Sequence, residues 1–298
     1  MTHVLTLISG PSGALDHATV SRLRGVLPEP GDPDWLSDRE ACDIPFAPGP
    51  EHDTRELRDQ LQSAVGDAPI DIVVQPAQDR RKRLLVADMD STLIGQECID
   101  ELADFAGLKP KVAAITERAM RGELDFEPAL RERVALLEGL EEHVLHTVFA
   151  ERITLNAGAR TLACTMRDHG ATTLIVSGGF TFFTERVAHA AGFEGNQANI
   201  LEVADGRLTG RVTEPILGQQ AKLEALRQMR EMLSLTRSQT IGVGDGANDL
   251  AMLQEAGLGV AYRAKPIVAE RADAGIEHAD LTALLFAQGY RREEFSEG

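Results

Sequence analysis

From Leu84 onward, short apolar runs alternate with longer stretches of helical period. Leu84-Leu85-Val86-Ala87, Thr173-Leu174-Ile175-Val176, Thr240-Ile241-Gly242-Val243 and Gly259-Val260-Ala261 are near-continuous in apolar character, as strands are when helices cover both faces of a sheet. The pattern predicts an α/β domain built on a parallel sheet. Between the first two runs, from Glu97 to about Arg167, apolar positions recur instead at helical spacing, as in Ile99, Leu102, Phe105 and in Leu130, Val134, Leu137. This segment, about residues 96–170, is expected to be a helical insert, a candidate lid over the strand ends. Two further runs, residues 200–203 and 208–212, flank Asp205-Gly206 and predict a hairpin.

The first 79 residues follow another pattern. A strand from His3 to Ser9, a helix from Ala14 to Leu27, a Pro/Gly stretch read as irregular, a helix from Thr54 to Val65 and a strand from Ile70 to Val74 predict a small α+β unit. Nine of the 13 prolines lie here, and 5 Lys+Arg stand against 14 Asp+Glu. The composition changes at Arg80-Arg81-Lys82-Arg83, so residues 1–79 and 80–298 are expected to form two domains. The basic tetrad itself is expected to be a solvated linker. The N-terminal part holds no constellation of catalytic residue types, which leaves regulation, dimerisation or support as its role.

Composition narrows the function classes. With 43% hydrophobic and 26% charged residues among 298, the chain can bury a sizeable core and is not globally disordered. A net charge of −17 gives no electrostatic footprint for nucleic acid or an anionic membrane. Cys42, Cys98 and Cys164 are odd in number and far apart, which offers neither a disulfide framework nor a zinc knuckle and suits a reducing cytoplasm. No apolar run approaches the ~18 residues of a membrane span, and the first residues lack the pattern of a signal peptide.

The candidate chemistry sits where the predicted strands end. Asp88 and Asp90 follow the first core strand at i and i+2, and so point the same way from its carboxyl end, where ligands bind in open α/β sheets. Ser177-Gly178-Gly179 follows the second strand with a hydroxyl and an exposed backbone suited to an anion. Lys222 opens an amphipathic helix, and Gly244-Asp245-Gly246-Ala247-Asn248-Asp249 follows the third strand. If these segments converge, Asp88, Asp90, Asp245 and Asp249 share one site, and each like-charge pair at ~4 Å costs ~4 kcal/mol at an effective dielectric of 20. A hard dication is then required. All-oxygen donors without a His/Cys cluster suit Mg²⁺ rather than zinc. Cation, lysine and hydroxyl together match a phosphoryl group whose charge is spread in the transition state.

The ordered set Asp88-x-Asp90-Ser-Thr, Ser177-Gly-Gly, Lys222 and Gly244-Asp245-Gly-x-Asn248-Asp249 resembles the haloacid dehalogenase superfamily of phosphatases. Gln96-Glu97, Asp125-Phe126-Glu127, Arg131-Glu132-Arg133-Val134 and Val176-Ser177-Gly178-Gly179-Phe180 resemble its branch acting on phosphoserine. The likeness covers roughly residues 83–290, while the first 80 bear only a loose resemblance to ACT-like amino-acid-binding modules. It implies a Rossmann-like parallel core of haloacid dehalogenase type with a helical cap. It further implies hydrolysis of O-phosphoserine, the last step of serine biosynthesis, through an aspartyl-phosphate on Asp88, with Asp90 as acid and base. By the same resemblance Mg²⁺ is held by Asp88, the Asp90 carbonyl and Asp245, with Asp249 orienting a water of the ion. Ser177, Gly178, Lys222 and Asn248 take the phosphoryl oxygens, Glu97 the substrate ammonium and Arg133 its carboxylate, and Met120 and Phe126 close the pocket. Another phosphatase or phosphotransferase of the superfamily, or a receiver module storing phosphate on Asp88, are the competing readings. A homodimer through either domain is compatible with the chain.

Overall fold

The computed structural model describes residues 1–10, 13–49, 54–120 and 123–298, with the side chains of residues 54, 55, 119 and 120 outside that description. In the N-terminal part, β1 (His3–Ile8), α1 (His17–Arg24), β2 (Asp34–Ser37), β3 (Ala41–Phe46), α2 (Thr54–Val65) and β4 (Asp71–Pro76) form an antiparallel sheet of order β2-β3-β1-β4 with two helices. The stretch expected to be irregular therefore holds two strands. Its period-2 signal is present but disguised: Cys42, Ile44 and Phe46 join the core under the helices, while the alternate positions include Asp43 and Pro45. Pro45 is tolerated because its carbonyl accepts from Gly31 N–H at 2.7 Å, on the side away from β1, so the missing N–H costs no bond to β1.

The larger part continues with β5 (Leu84–Ala87), α3 (Cys98–Phe105), α4 (Lys109–Met120), α5 (Phe126–Ala135), α6 (His143–Arg152), α7 (Ala159–Asp168), β6 (Thr172–Phe180), α8 (Thr181–Ala191) and β7 (Gly195–Asn199). The hairpin β8 (Leu201–Ala204) and β9 (Arg207–Val212) follows, then α9 (Gln219–Met232), β10 (Thr240–Gly244), α10 (Leu250–Glu255), β11 (Leu258–Tyr262), α11 (Pro266–Ala269), β12 (Ala274–Ile276) and α12 (Ala283–Ala287). A six-stranded parallel sheet runs β12-β11-β10-β5-β6-β7. Leu84 and Val86 join one apolar layer and Leu85 and Ala87 the other, which is why the strand reads as unbroken apolar sequence. After β5 the chain builds β6 and β7 on one side and later β10 to β12 on the other, which puts a topological switch point at the carboxyl end of β5.

Helices α3 to α6 pack on one another as a cap, and the hairpin joins them through α5 and a Gly139 N–H bond of 2.8 Å to the Leu208 carbonyl. Helix α7 instead packs on β6, α8 and α12.

Of the basic tetrad, Arg81 and Arg83 are exposed as expected of a solvated linker, but Arg80 and Lys82 are not. Arg80 donates to Thr6 Oγ1 at 2.9 Å, to the Phe286 and Ala287 carbonyls at 3.0 and 2.8 Å, and pairs with Asp43. Lys82 is 5% exposed, its Nζ donating to the Asp79 and Ser238 carbonyls, and burial pushes its pKa down to about 8. Asp71 accepts N–H bonds from Glu277, His278 and Ala279. The outer face of the N-terminal sheet, including Ile8 and Val73, merges with the core around α12. Basic residues ahead of a strand read as solvent-facing by pattern, but here acceptors such as the Ser238, Phe286 and Ala287 carbonyls come from more than 150 residues away.

Candidate active site

Asp88 extends the sheet ladder by one bond, its N–H donating to the Val243 carbonyl at 3.0 Å, so its side chain leaves from the carboxyl edge of β5. Asp88 Oδ1 accepts from Met89 N–H at 2.8 Å and lies 2.8 Å from Lys222 Nζ. The same ammonium is 2.6 Å from Asp249 Oδ1, and Asp249 Oδ2 accepts from Gly246 N–H at 3.0 Å. Lys222 is 2% exposed and Asp249 0%, so both lie behind the wall of the site. For Lys222 burial lowers the pKa, but the facing Asp249 and Asp88 carboxylates outweigh it and hold the ammonium above its usual range. Burial raises Asp88, Asp249 adds to the rise and Lys222 opposes it. Gly244 has no alternative here: a Cβ would sit 2.3 Å from Asp249 Cγ.

Asp90 Oδ1 accepts from Cys98 N–H at 3.3 Å, and burial followed by the charge of Glu97 pushes its pKa up to about 7. Ser177 Oγ accepts from Gly179 N–H at 2.9 Å, which fixes the hydroxyl beside β6. Asp245 is pushed up to about 6 by burial and then by Asp249. Carboxylate oxygens of Asp88, Asp245 and Asp249 lie within 4.8 Å of one another. Three crowded carboxylates with one shared ammonium retain net negative charge, and their all-oxygen donor set fits a hard dication.

Core and cap enclose a cavity of about 540 Å³ above these groups. Of the residues singled out in the sequence, Asp88, Asp90, Ser177, Gly178, Asp245 and Asn248 line it from the core, and Glu97, Phe126 and Arg133 from the cap. The Met120 side chain lies outside the described residues. Phe126 packs over the core edge, its Cζ 3.0 Å from where a Cβ on Gly178 would be, and against Gly218 as well. Glu97, just ahead of α3, accepts from Ser91 Oγ at 2.7 Å. Arg133 Nε donates to its own helix at the Ala129 carbonyl, 3.3 Å away. Sequence reasoning passed over Ser91, Asp100 and Lys265, which also line the cavity. Asp100 carried a usable signal, one helical turn beyond Glu97, and Lys265 another, just past the carboxyl end of β11.

Residues 85–254 match the haloacid dehalogenase-like hydrolase family. The chain belongs to that family. Within it the chain falls in the phosphoserine phosphatase branch. It is 46% identical, over 81% of its length, to a phosphoserine phosphatase of Streptomyces coelicolor, of which it spans 59%. A haloacid dehalogenase hydrolase of Salmonella enterica serovar Typhi superposes with a TM-score of 0.84 at 30% identity, covering 96% of this chain and 98% of that one. A phosphoserine phosphatase structure described as a phospho-aspartyl intermediate analogue superposes at 0.64 with 39% identity, covering 71% of this chain and 99% of that one. The parallel core with its helical insert and small N-terminal α+β sheet is thus the architecture expected from the apolar pattern, and its haloacid dehalogenase type the one the resemblance implied. Among the described residues no helix is long and apolar enough to cross a membrane.

Proposed function

We propose that this haloacid dehalogenase hydrolase cleaves O-phosphoserine to serine and inorganic phosphate, with Asp88 as nucleophile and Mg²⁺ as its cofactor. One observation carries the reading. Asp88 Oδ1 is held by Lys222 and Met89 N–H, while Oδ2 has no hydrogen bond among the described residues and belongs to a side chain that lines the cavity beside Asp90.

Asp88 Oδ2 attacks phosphorus as the bond to the serine oxygen breaks, and Asp90 gives its proton to that oxygen. A pKa pushed up to about 7 keeps this proton available near neutrality. Water then attacks the aspartyl-phosphate while Asp90 takes its proton, and the Asp88 carboxylate is regenerated. The relative described as a phospho-aspartyl intermediate analogue supports this route. Ser177, the Gly178 N–H and Asn248 hold the phosphoryl oxygens in a site whose donors are positioned before reaction, and Lys222, behind the wall, fixes Asp88 Oδ1 and adds positive charge there. Asp88, Asp245 and the Asp90 main-chain carbonyl would hold Mg²⁺, and the ion when bound supplies positive charge against the phosphoryl oxygens. Asp249 acts at one remove, through Lys222 and the Gly246 N–H. On the cap side Glu97 takes the ammonium and Arg133 the carboxylate, and Phe126 keeps water out. Residues 80–298 make up the phosphatase unit in this reading, and residues 1–79 a docked support.

The test is phosphate release from phosphoserine with Mg²⁺ or EDTA, for wild type and Asp88→Asn. Turnover only with Mg²⁺, and none above a few per cent for Asp88→Asn with an unchanged unfolding midpoint, is expected. Substantial turnover by Asp88→Asn defeats the covalent route.

A further inference from the structure

Glu97 stands at the N-cap position of α3, yet its carboxylate makes no hydrogen bond to the first turn. An acidic side chain there ordinarily accepts from the free N–H groups of its own helix. Glu97 Oε1 instead accepts from the Ser91 hydroxyl at 2.7 Å, and Oε2 has no hydrogen bond among the described residues. Both residues line the catalytic cavity.

Ser91 is held in a conformation that favours glycine. Its φ is 56°, in the left-handed region, where a Cβ crowds the backbone. Seven described residues other than glycine have a positive φ, and among them Ser91 alone lines the cavity. Its N–H donates to the Gln96 carbonyl at 3.2 Å, a bond that glycine would make equally well and without the strain. What serine adds is the hydroxyl, and that hydroxyl goes to Glu97.

We propose that Ser91 is a positioning residue for substrate recognition: its hydroxyl turns the Glu97 carboxylate away from the end of α3 and fixes Oε1, leaving Oε2 to a substrate ammonium. The inference rests on the phosphoserine reading of the same site, in which Glu97 takes that ammonium. Its physical basis is competition for one flexible side chain. A glutamate gives up rotamer freedom to hold one direction, and the N-terminus of its own helix attracts its charge. Without the hydroxyl, the carboxylate is free to turn to that terminus as a cap. The bond also runs from the segment that follows β5 and carries Asp88 and Asp90 to the residue just ahead of α3. It therefore ties the ammonium site to the core that holds the phosphoryl group.

The experiment measures kcat and KM on phosphoserine with Mg²⁺ for wild type, Ser91→Ala and Ser91→Gly, together with the competitive Ki of the same compound lacking its amino group. Both variants are expected to raise KM for phosphoserine about three- to tenfold, with kcat within about twofold and the Ki unchanged. Ser91→Gly should unfold at a higher temperature than Ser91→Ala, because glycine relieves the backbone, while the two share the rise in KM. Affinity then follows the hydroxyl and not the stability of the fold. In a Glu97→Ala background, Ser91→Gly should have no further effect on KM. A rise in KM below about threefold for Ser91→Gly, an equal rise in KM and Ki, or a loss of the same size without Glu97 overturns the proposal. A wild type that binds the amine-free compound as tightly as phosphoserine defeats the substrate reading and this inference with it. A preference that survives Ser91→Gly undiminished defeats this inference alone.

Discussion

Lys222 Nζ lies 2.8 Å from Asp88 Oδ1, so the carboxylate that carries the proposed chemistry is fixed by a cation lying behind the cavity wall rather than in it. The same ammonium also reaches Asp249 at 2.6 Å, and one positive charge therefore serves two buried negative ones. Removing it leaves both without compensation.

Lys222→Met is accordingly expected to destabilise the metal-free protein by about 3–5 kcal/mol, the usual cost of breaking a buried ion pair from one side. Adding Asp249→Asn should restore part of that loss, because one orphaned charge is then neutral. Urea unfolding in EDTA measures both. A loss below about 1 kcal/mol would show that the carboxylates are not charged in the wild type.

Cap closure depends on glycine at 178. A Cβ there would stand 3.0 Å from Phe126 Cζ and 3.3 Å from Cε2. Gly178→Ala is therefore expected to push the ring away, destabilising the fold by about 1–3 kcal/mol and lowering kcat/KM by roughly 5- to 150-fold. Phe126→Ala should remove most of that difference when the two are combined. Additive losses would place the effect of the methyl on phosphate binding instead.

Asp90 makes the metal-free enzyme pH-sensitive in a definite direction. Its pKa is raised in the folded state from 3.8 to about 7, so the folded protein binds the extra proton and its stability falls as pH rises through that window. Asp90→Asn cannot lose this contribution. The variant should gain on wild type in thermal midpoint between pH 4 and 7, with the difference level above pH 7 and absent below pH 4. A difference independent of pH would mean that Asp90 is not held protonated by its surroundings.

The seam between the N-terminal sheet and the parallel-sheet core offers a control far from the chemistry. Arg80 pairs with Asp43 and donates to the Phe286 and Ala287 carbonyls, none of which lines the catalytic cavity. Arg80→Ala is expected to cost about 3–5 kcal/mol in urea unfolding, partly recovered by Asp43→Asn, with kcat on phosphoserine within about twofold. A fall in kcat at constant stability would instead couple the N-terminal sheet to the site.

What the sequence by itself determined is whatever a local period or a strand-end position can encode. Apolar runs such as Leu84–Ala87 mark buried parallel strands, and in such a sheet every strand end faces one edge, so Asp88, Ser177 and Asp245 were bound to meet there. The helical period of residues 97–167 likewise announced a mostly helical insert between β5 and β6. Tertiary structure decided everything that depends on partners distant in the chain. Strand β3 was hidden because a carboxylate and a proline, Asp43 and Pro45, sit among its apolar positions, and partners distant in the chain, Thr6 and Arg80 for Asp43 and Gly31 for Pro45, make them acceptable there. Helix α7 falls in the helical stretch by period, yet it packs on β6 and α8 because contacts, not spacing, assign a helix to a layer. Lys222 reads as a surface residue of an amphipathic helix, and becomes a buried counter-ion only when Asp88 and Asp249 arrive from two other segments.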